Sequence, residues 1–183
     1  MKILENHILT FTSGSANNST KAGGYGYVVK NYDISELIPR SSKTETTHNK
    51  MEIQALIEIF ENIKPNDYPA LIFVTSDYIY NCLTGKSRRR SNREEWKKLQ
   101  LLINNFEAEG GSLRFYLVKS KLRATVKDIE KGLKLFKKKN DQLDLEYLKR
   151  HTKISMRETF KEIIRCFMYA HEDAVVGMKN SKV

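Results

Sequence analysis

Cysteine is scarce in this chain, and the scarcity limits what kind of protein it can be. Only two cysteines, Cys82 and Cys166, occur among 183 residues, and they lie far apart. Two widely separated thiols form neither a disulfide framework nor the short ligand pairs of a zinc site. We therefore expect a protein of a reducing, cytoplasmic compartment whose fold depends on a hydrophobic core.

Long apolar runs are also missing. No stretch approaches the run of about 18 apolar residues that indicates a transmembrane helix, and the N-terminus has no apolar run typical of a signal peptide. We expect a soluble protein with no membrane partner. The hydrophobic content of 40% is enough for one packed domain of this length.

Acidic residues are outnumbered by basic ones. The chain has 32 Lys and Arg residues against 22 Asp and Glu residues, which gives a formal net charge of +10. The excess is concentrated in residues 85–93 (GKSRRRSNR), 118–123 (VKSKLR) and 134–140 (KLFKKKN). Clustered Lys and Arg are typical of surfaces that bind polyanions, most often nucleic acid. The alternative is a basic surface without a specific partner.

Hydrophobic patterning predicts five strands. Residues 7–12, 25–32 and 33–40 are close in sequence and favour an antiparallel meander, and the glycines of the second strand permit close backbone approach. Residues 70–75 are a continuous apolar run, as expected for a strand buried on both faces, and residues 112–118 form the fifth strand.

Helical spacing of apolar residues predicts helices between the later strands and after them. Predicted helices cover 47–63, 77–85, 92–111, 125–139, 141–150 and 155–176. Asn92 with Glu95, and Ser155 with Glu158, have the spacing of a capping box. The order β-β-β-α-β-α-α-β-α indicates a mixed α/β layer fold. We expect a domain at 1–139 and a C-terminal helical extension at 140–183.

Five short motifs occur in a recognisable order. They are FTSGS (11–15), GGYGYVV (23–29), TTHNKMEIQALIEIFENI (46–63), SDYIYNCLTG (76–85) and NREEWKKL (92–99). With these motifs the chain resembles type 1 ribonuclease H over residues 7–139. The resemblance implies a mixed five-stranded sheet, three antiparallel strands followed by parallel ones, flanked by helices.

The resemblance also implies a chemistry. Enzymes of this family cut the RNA strand of an RNA–DNA hybrid with two magnesium ions held by four carboxylates. Magnesium is a hard cation that prefers oxygen ligands, and two such ions lie about 3.5–4 Å apart in sites of this kind. Holding two dications so close together requires several negative charges.

The family's first three acids fall on different kinds of residue here. The first position corresponds to Ser13, a neutral hydroxyl, whereas the second corresponds to Glu52 and is retained. The third corresponds to Thr75 if the following helix is aligned without a shift, or to Asp77 if it is shifted by two. The preferred register places neutral hydroxyls, Ser13 and Thr75, at two of these positions. It therefore predicts a site with less negative charge than the family's. Glu52 and Asp77 remain the candidate metal ligands.

The position that corresponds to the family's fourth acid also has more than one candidate. An ungapped count places it on Lys131, whereas matching the apolar stripe places it on Glu130. Asp128 is less favoured, because it forms a cap-like pair with Thr125. Glu52, Asp77 and Glu130 are thus the candidate remnants of a catalytic site. The family's histidine after the last strand falls near Lys121.

Candidate nucleic-acid contacts follow from the same resemblance. His48 and Asn49 match the pair that meets the hybrid in its minor groove, where 2′-hydroxyls distinguish RNA from DNA; ordinary helix capping is the alternative. The basic loop after the short helix could bind phosphate, because arginine binds phosphate through a planar fork. The alternative is a charged loop that contacts only solvent. The basic candidates are Lys86, Arg88, Arg89, Arg90 and Arg93, and then Lys119, Lys121 and Arg123. Trp96 is predicted to be a core residue.

Three hypotheses of different kinds follow. The leading one is a ribonuclease H-like protein with a decayed catalytic centre that binds an RNA–DNA hybrid or other duplex and needs no cofactor. The second is an active, Mg²⁺-dependent ribonuclease H with a rearranged site. The third is a protein–protein module in which residues 155–176 contact a partner or a second copy, unless their apolar stripe packs on its own domain. His151 and His171 form no recognisable constellation.

Overall fold

One mixed sheet forms the centre of the molecule. The structure, a computed structural model, describes residues 4–31, 40–42, 46–119 and 127–181. The strand order is β3-β2-β1-β4-β5. The strands are β1 (Leu9–Ala16), β2 (Gly23–Lys30), β3 (Arg40–Ser42), β4 (Ala70–Val74) and β5 (Leu113–Leu117). Four strands have five or more residues, and β3 adds a three-residue edge.

Six helices surround the sheet in the described part of the chain. They are α1 (His48–Asn62), α2 (Asp77–Leu83), α3 (Arg93–Ala108), α4 (Ile129–Lys139), α5 (Gln142–His151) and α6 (Met156–Asn180). The pairings of β1 with β2 and of β2 with β3 are antiparallel, whereas those of β1 with β4 and of β4 with β5 are parallel. The predicted mixed α/β fold is confirmed. None of these described helices is long and apolar enough to span a bilayer.

The alternation of side chains through the start of β1 and the residue before it divides the core into two layers. Ile8 packs with residues of α1 and α3, whereas Leu9 and Phe11 pack with residues of α4, α5 and α6. This is the two-residue period of a strand covered on both faces. Trp96 lies in the first layer with 1% of its surface exposed, which confirms it as a core residue.

The C-terminal helix α6 packs on the glycine-rich strand β2. A Cβ atom on Gly26 would overlap the carbonyl oxygen of Ala170 and would lie 2.6 Å from the Cβ of Asp173. Glycine therefore lets the helix backbone reach the strand, which is the close approach predicted from the sequence. The apolar stripe of α6 is buried in the second core layer, with Leu9 and Phe11. The helix therefore packs on the sheet of its own chain. The stripe consists of Phe160, Ile163, Ile164 and Phe167.

Aromatic and imidazole rings join the start of β1 to α5. The Nε2 atom of His7 is 2.8 Å from the hydroxyl of Tyr147, and the rings of His7 and His151 are 5.3 Å apart. Burial, followed by the nearby His151, lowers the pKa of His7 to about 4. His7 is therefore a neutral structural residue near pH 7, and His151 belongs to a ring cluster that its sequence position did not indicate.

One predicted helix cap differs from the structure, and two predicted elements lie partly outside the described residues. Asn92 is the N-cap of α3, but its φ of 54° is left-handed and its side chain makes no capping bond, so the capping box predicted there is wrong. The helix predicted from residue 125 is described from Ile129, with the side chain of Asp128 accepting from the backbone N–H of Lys131. The third strand is described at 40–42, and the rest of its predicted range lies outside the described residues.

The contact between α6 and β2 predicts the effect of one methyl group. We expect Gly26→Ala to destabilise the fold by about 1–3 kcal/mol, because overpacking forces backbone to shift. Urea unfolding measures this, and Ser19→Ala in the exposed β1–β2 turn is the control, with a change of about 0.5 kcal/mol or less. Equal stability of Gly26→Ala and the parent would contradict the packing.

Candidate functional site

A pocket of about 560 Å³, lined mainly by polar residues, lies beside the second half of β1 and just beyond the end of β4. Because these strands are parallel, their carboxyl ends meet at the same edge of the sheet. The start of α1, the β4–α2 junction and α6 form the other walls. The predicted site residues that line the pocket are Ser13, His48, Asn49, Glu52, Thr75 and Asp77.

Glu52 lies on α1 with 2% of its surface exposed. Its Oε1 accepts from the backbone N–H of Thr75 at 2.6 Å and from the hydroxyl of Thr12 at 3.0 Å. Its Oε2 accepts from the hydroxyl of Thr75 at 2.7 Å. Burial raises the pKa of Glu52, and the hydrogen bonds from Thr75 and Thr12 oppose that rise only in part. Both carboxylate oxygens are therefore already engaged, and the charged form is disfavoured.

Ser13 faces α6 from β1. It is 2% exposed, and its Oγ lies 3.3 Å from Nδ1 of His171. Sequence reasoning missed His171 as a pocket residue. One signal was available: His171 follows Phe167 by four residues, so the two side chains lie on the same side of the helix, although His171 is exposed. Ser13, which the sequence predicts at the family's first acid position, thus meets an imidazole.

Thr75 and Asp77 both reach the pocket, so the structure accommodates both registers considered for the third acid. The hydroxyl of Thr75 is bound to Glu52, as described above. Asp77 begins α2, and its carboxylate pairs with Lys119 at 2.5 Å and with Lys139 at 3.6 Å. The half-exposed carboxylate of Asp77 is therefore paired with two ammonium groups.

The remaining candidates for the fourth acid lie elsewhere. Glu130 is exposed at the start of α4, and its carboxylate accepts from Nε of Arg157 at 2.5 Å. The residues that line the pocket include neither Glu130 nor Lys131. Two candidate phosphate contacts, Lys121 and Arg123, lie outside the described residues.

The donor set of the pocket can be compared with what paired magnesium ions require. Two dications need several anionic oxygens. The pocket offers Glu52, which is buried and hydrogen-bonded, Asp77, which is ion-paired, and neutral hydroxyls at Ser13 and Thr75. Across the described ranges, no three His, Cys, Asp or Glu side chains are grouped to hold a metal. The described residues do not fit two bound magnesium ions.

The basic segment, residues 86–93, contains both anchored and exposed cations. The guanidinium of Arg89 lies 4.9 Å from the centre of the Trp96 ring and donates to Gln100 at 2.5 Å. Lys86 lies over the ring of Tyr80 at 5.1 Å. The other three cations extend from the surface as exposed side chains. They are Arg88, Arg90 and Arg93.

At the start of α1, one candidate contact is part of a local hydrogen-bond network. The side-chain oxygen of Asn49 accepts from the hydroxyl of Ser76 at 2.7 Å. Thr47, and neither His48 nor Asn49, caps the helix. His48 Nδ1 lies 3.4 Å from the carbonyl oxygen of Gly14. Both candidate residues thus contribute polar atoms to the pocket wall.

A mixed sheet in this strand order, with a polar pocket beside β1 and beyond the end of β4, defines a ribonuclease H-like fold. The RNase H family model matches residues 5–159, and the chain belongs to this family. A Ribonuclease H of Ruthia magnifica subsp. Calyptogena magnifica is 31% identical over 105 residues, 57% of this chain and 60% of that protein. One of Prochlorococcus marinus (strain NATL1A) is 30% identical over 91 residues, 50% of this chain and 54% of that protein. The matches thus span little more than half of these relatives.

Two solved structures show the same fold. The crystal structure of RNase H1 from the halophilic archaeon Halobacterium salinarum NRC-1 has a TM-score of 0.50 and 16% identity, and covers 62% of this chain and 86% of that chain. LC11-RNase H1 in complex with RNA/DNA hybrid has a TM-score of 0.51 and 20% identity, with the same coverage. Residues 160–180 of α6, which include His171, lie beyond the family match.

Proposed function

We propose that this protein binds nucleic acid, an RNA–DNA hybrid or another duplex, and does not hydrolyse it by two-metal catalysis. The observation that carries this proposal is the shortage of available carboxylates in the pocket. Glu52 is engaged by two threonines, and Asp77 is engaged by two lysines. In the preferred register Ser13 and Thr75 take the positions where the family has acids, and neither hydroxyl carries charge at pH 7.

A metal ion would compete with two lysines for the carboxylate of Asp77. A metal ion there would have to displace the ammonium group of Lys119, which is 2.5 Å away, or tolerate its repulsion. Lys139 adds a second positive charge at 3.6 Å. The same two lysines attract phosphate, because their charge and hydrogen-bond donors complement a phosphate oxygen. The pocket surroundings therefore favour an anionic ligand over a pair of dications.

Two observations support a nucleic-acid partner: the exposed arginines of the basic segment, and a solved structure of the same fold. Exposed arginines of the basic segment can each contact phosphate, which supplies most of the affinity of nonspecific duplex binding. LC11-RNase H1, which shares the fold, forms a complex with an RNA/DNA hybrid. A hybrid is accordingly the first duplex to test.

The apolar stripe of α6 packs on the sheet of its own chain, so a protein partner would have to contact other residues of 155–176. A cytoplasmic location belongs to the proposal, since the two cysteines are free and buried. The division of the chain at residue 140 also belongs to the proposal. Residues 1–139 form the ribonuclease H-like domain, and residues 140–183 form an extension that completes its second core layer.

Removal of the exposed arginines tests the binding surface. We expect the triple variant Arg88→Ala, Arg90→Ala, Arg93→Ala to bind a labelled RNA–DNA hybrid more weakly. The slope of log K against log salt should fall in magnitude by about 1 for each phosphate contact removed. Fluorescence anisotropy in EDTA at several salt concentrations measures both quantities.

The control for this variant removes the same charge from another surface. Its three substitutions, at exposed residues near the end of α5, should leave the slope unchanged. They are Lys149→Ala, Arg150→Ala and Lys153→Ala. Equal losses in the two triple variants, or parent binding that does not respond to salt, would count against a role for the basic segment.

Restoring the missing charge tests the catalytic part of the proposal. The parent should cut a labelled hybrid in neither Mg²⁺ nor Mn²⁺, whereas Ser13→Asp with Thr75→Asp should gain metal-dependent cleavage. The matched control, Ser13→Asn with Thr75→Asn, has similar size without the charge and should remain inactive. Cleavage by the parent that disappears in Glu52→Ala would show that the proposal is wrong.

A further inference from the structure

We propose that the pocket binds a phosphate group without a metal ion, and that His171 on α6 is one of the residues that contact it. This inference rests on the proposed function in one respect: the phosphate would belong to a bound nucleic acid. It adds a ligand and a residue that the family match does not cover, because the match ends at residue 159.

The position of His171 is fixed by the packing of its helix. The carbonyl oxygen of the preceding residue, Ala170, lies against Gly26 of β2, and Ala170 and Ala174 have no exposed surface. The side chain of His171 lines the pocket, where Ser13 Oγ meets its Nδ1 at 3.3 Å. Backbone packing and a side-chain contact therefore both orient the imidazole, which is how binding sites are preorganised.

The charges around the pocket favour an anion. Glu52 accepts hydrogen bonds from Thr12 and Thr75 through both of its carboxylate oxygens. Asp77 faces the two ammonium groups of Lys119 and Lys139, so the positive charges outnumber the negative one at that wall. A phosphate beside Asp77 would thus find two ammonium groups next to the one carboxylate.

The groups that reach the pocket suit a tetrahedral oxyanion. The hydroxyl of Ser13 and the imidazoles of His48 and His171 line it from three different elements. Hydroxyl and imidazole N–H groups donate hydrogen bonds to phosphate oxygens, and a charged partner shortens and strengthens those bonds. The pocket volume of about 560 Å³ lies in the usual range for small-molecule sites and exceeds what one phosphate group needs. It therefore suits a phosphate carried by a nucleotide unit.

Titration with inorganic phosphate tests the site directly. In the full-length protein with EDTA present, we expect a saturable change in the ring signals of His171 in ¹H–¹⁵N spectra, which chloride at equal ionic strength does not reproduce. In His171→Gln, phosphate affinity, followed through the Asn49 side-chain amide, should fall roughly 10-fold, the effect of losing a hydrogen bond to a charged group. His151→Gln removes an exposed histidine outside the pocket and should bind phosphate as the parent does.

Ser13→Asp provides a second variant in case His171→Gln does not fold. Its carboxylate would stand beside the imidazole and repel phosphate, so phosphate affinity should again fall at least about 10-fold, an estimate for a like-charge contact in a partly buried site. Folding of each variant is checked by circular dichroism and thermal unfolding before titration. Parent-like phosphate affinity in a folded Ser13→Asp variant would overturn the inference.

Two further ligands distinguish the sources of the phosphate. A dinucleotide with an internal phosphodiester represents the nucleic-acid backbone, and a nucleoside 5′-monophosphate represents a strand end. Tighter binding of either one than of inorganic phosphate supports the site and identifies its source. Absence of saturable binding, binding only after Mg²⁺ is added, or an equal response in His171→Gln would overturn the inference. Because no duplex is used, these results can fail while hybrid binding by the basic segment persists.

Discussion

Charge balance at the edge of the sheet is the constraint on which this account depends. A pair of divalent cations is held only where the protein presents more negative charge than its own cations cancel. Here the two carboxylates of the pocket are already engaged, Glu52 by threonines of the adjoining strands and Asp77 by lysines. Where the family resemblance implies carboxylates for metals, the pocket of this chain therefore presents hydroxyls and imidazoles beside a carboxylate that is paired with two ammonium groups.

The helix α6 connects this chemistry to the fold. It packs on β2 because the glycines of that strand carry no Cβ, and it buries its apolar stripe in the second core layer. As a result, Phe167 and His171 become part of the pocket wall, although they follow the end of the family match. The C-terminal region thus contributes both to stability and to the composition of the candidate site.

Much of the fold could be predicted from the sequence, because strands and helices follow local periodicity. The position of Glu52 at the site also followed from a local motif on the first helix. The Ser13–His171 contact could not be predicted, since the two residues are 158 positions apart and meet only through the packing of α6. Asn92 had the right spacing for a capping box, but its left-handed backbone directs the side chain away from that bond.

The most direct test of the central claim is a crystal grown or soaked with Mn²⁺, with anomalous scattering used to locate the ions. The account predicts no pair of ordered ions between Ser13, Glu52 and Asp77, because the available negative charge is too small. Two well-ordered ions about 3.5–4 Å apart at that position, with Glu52 turned from its threonine partners to bind them, would contradict it.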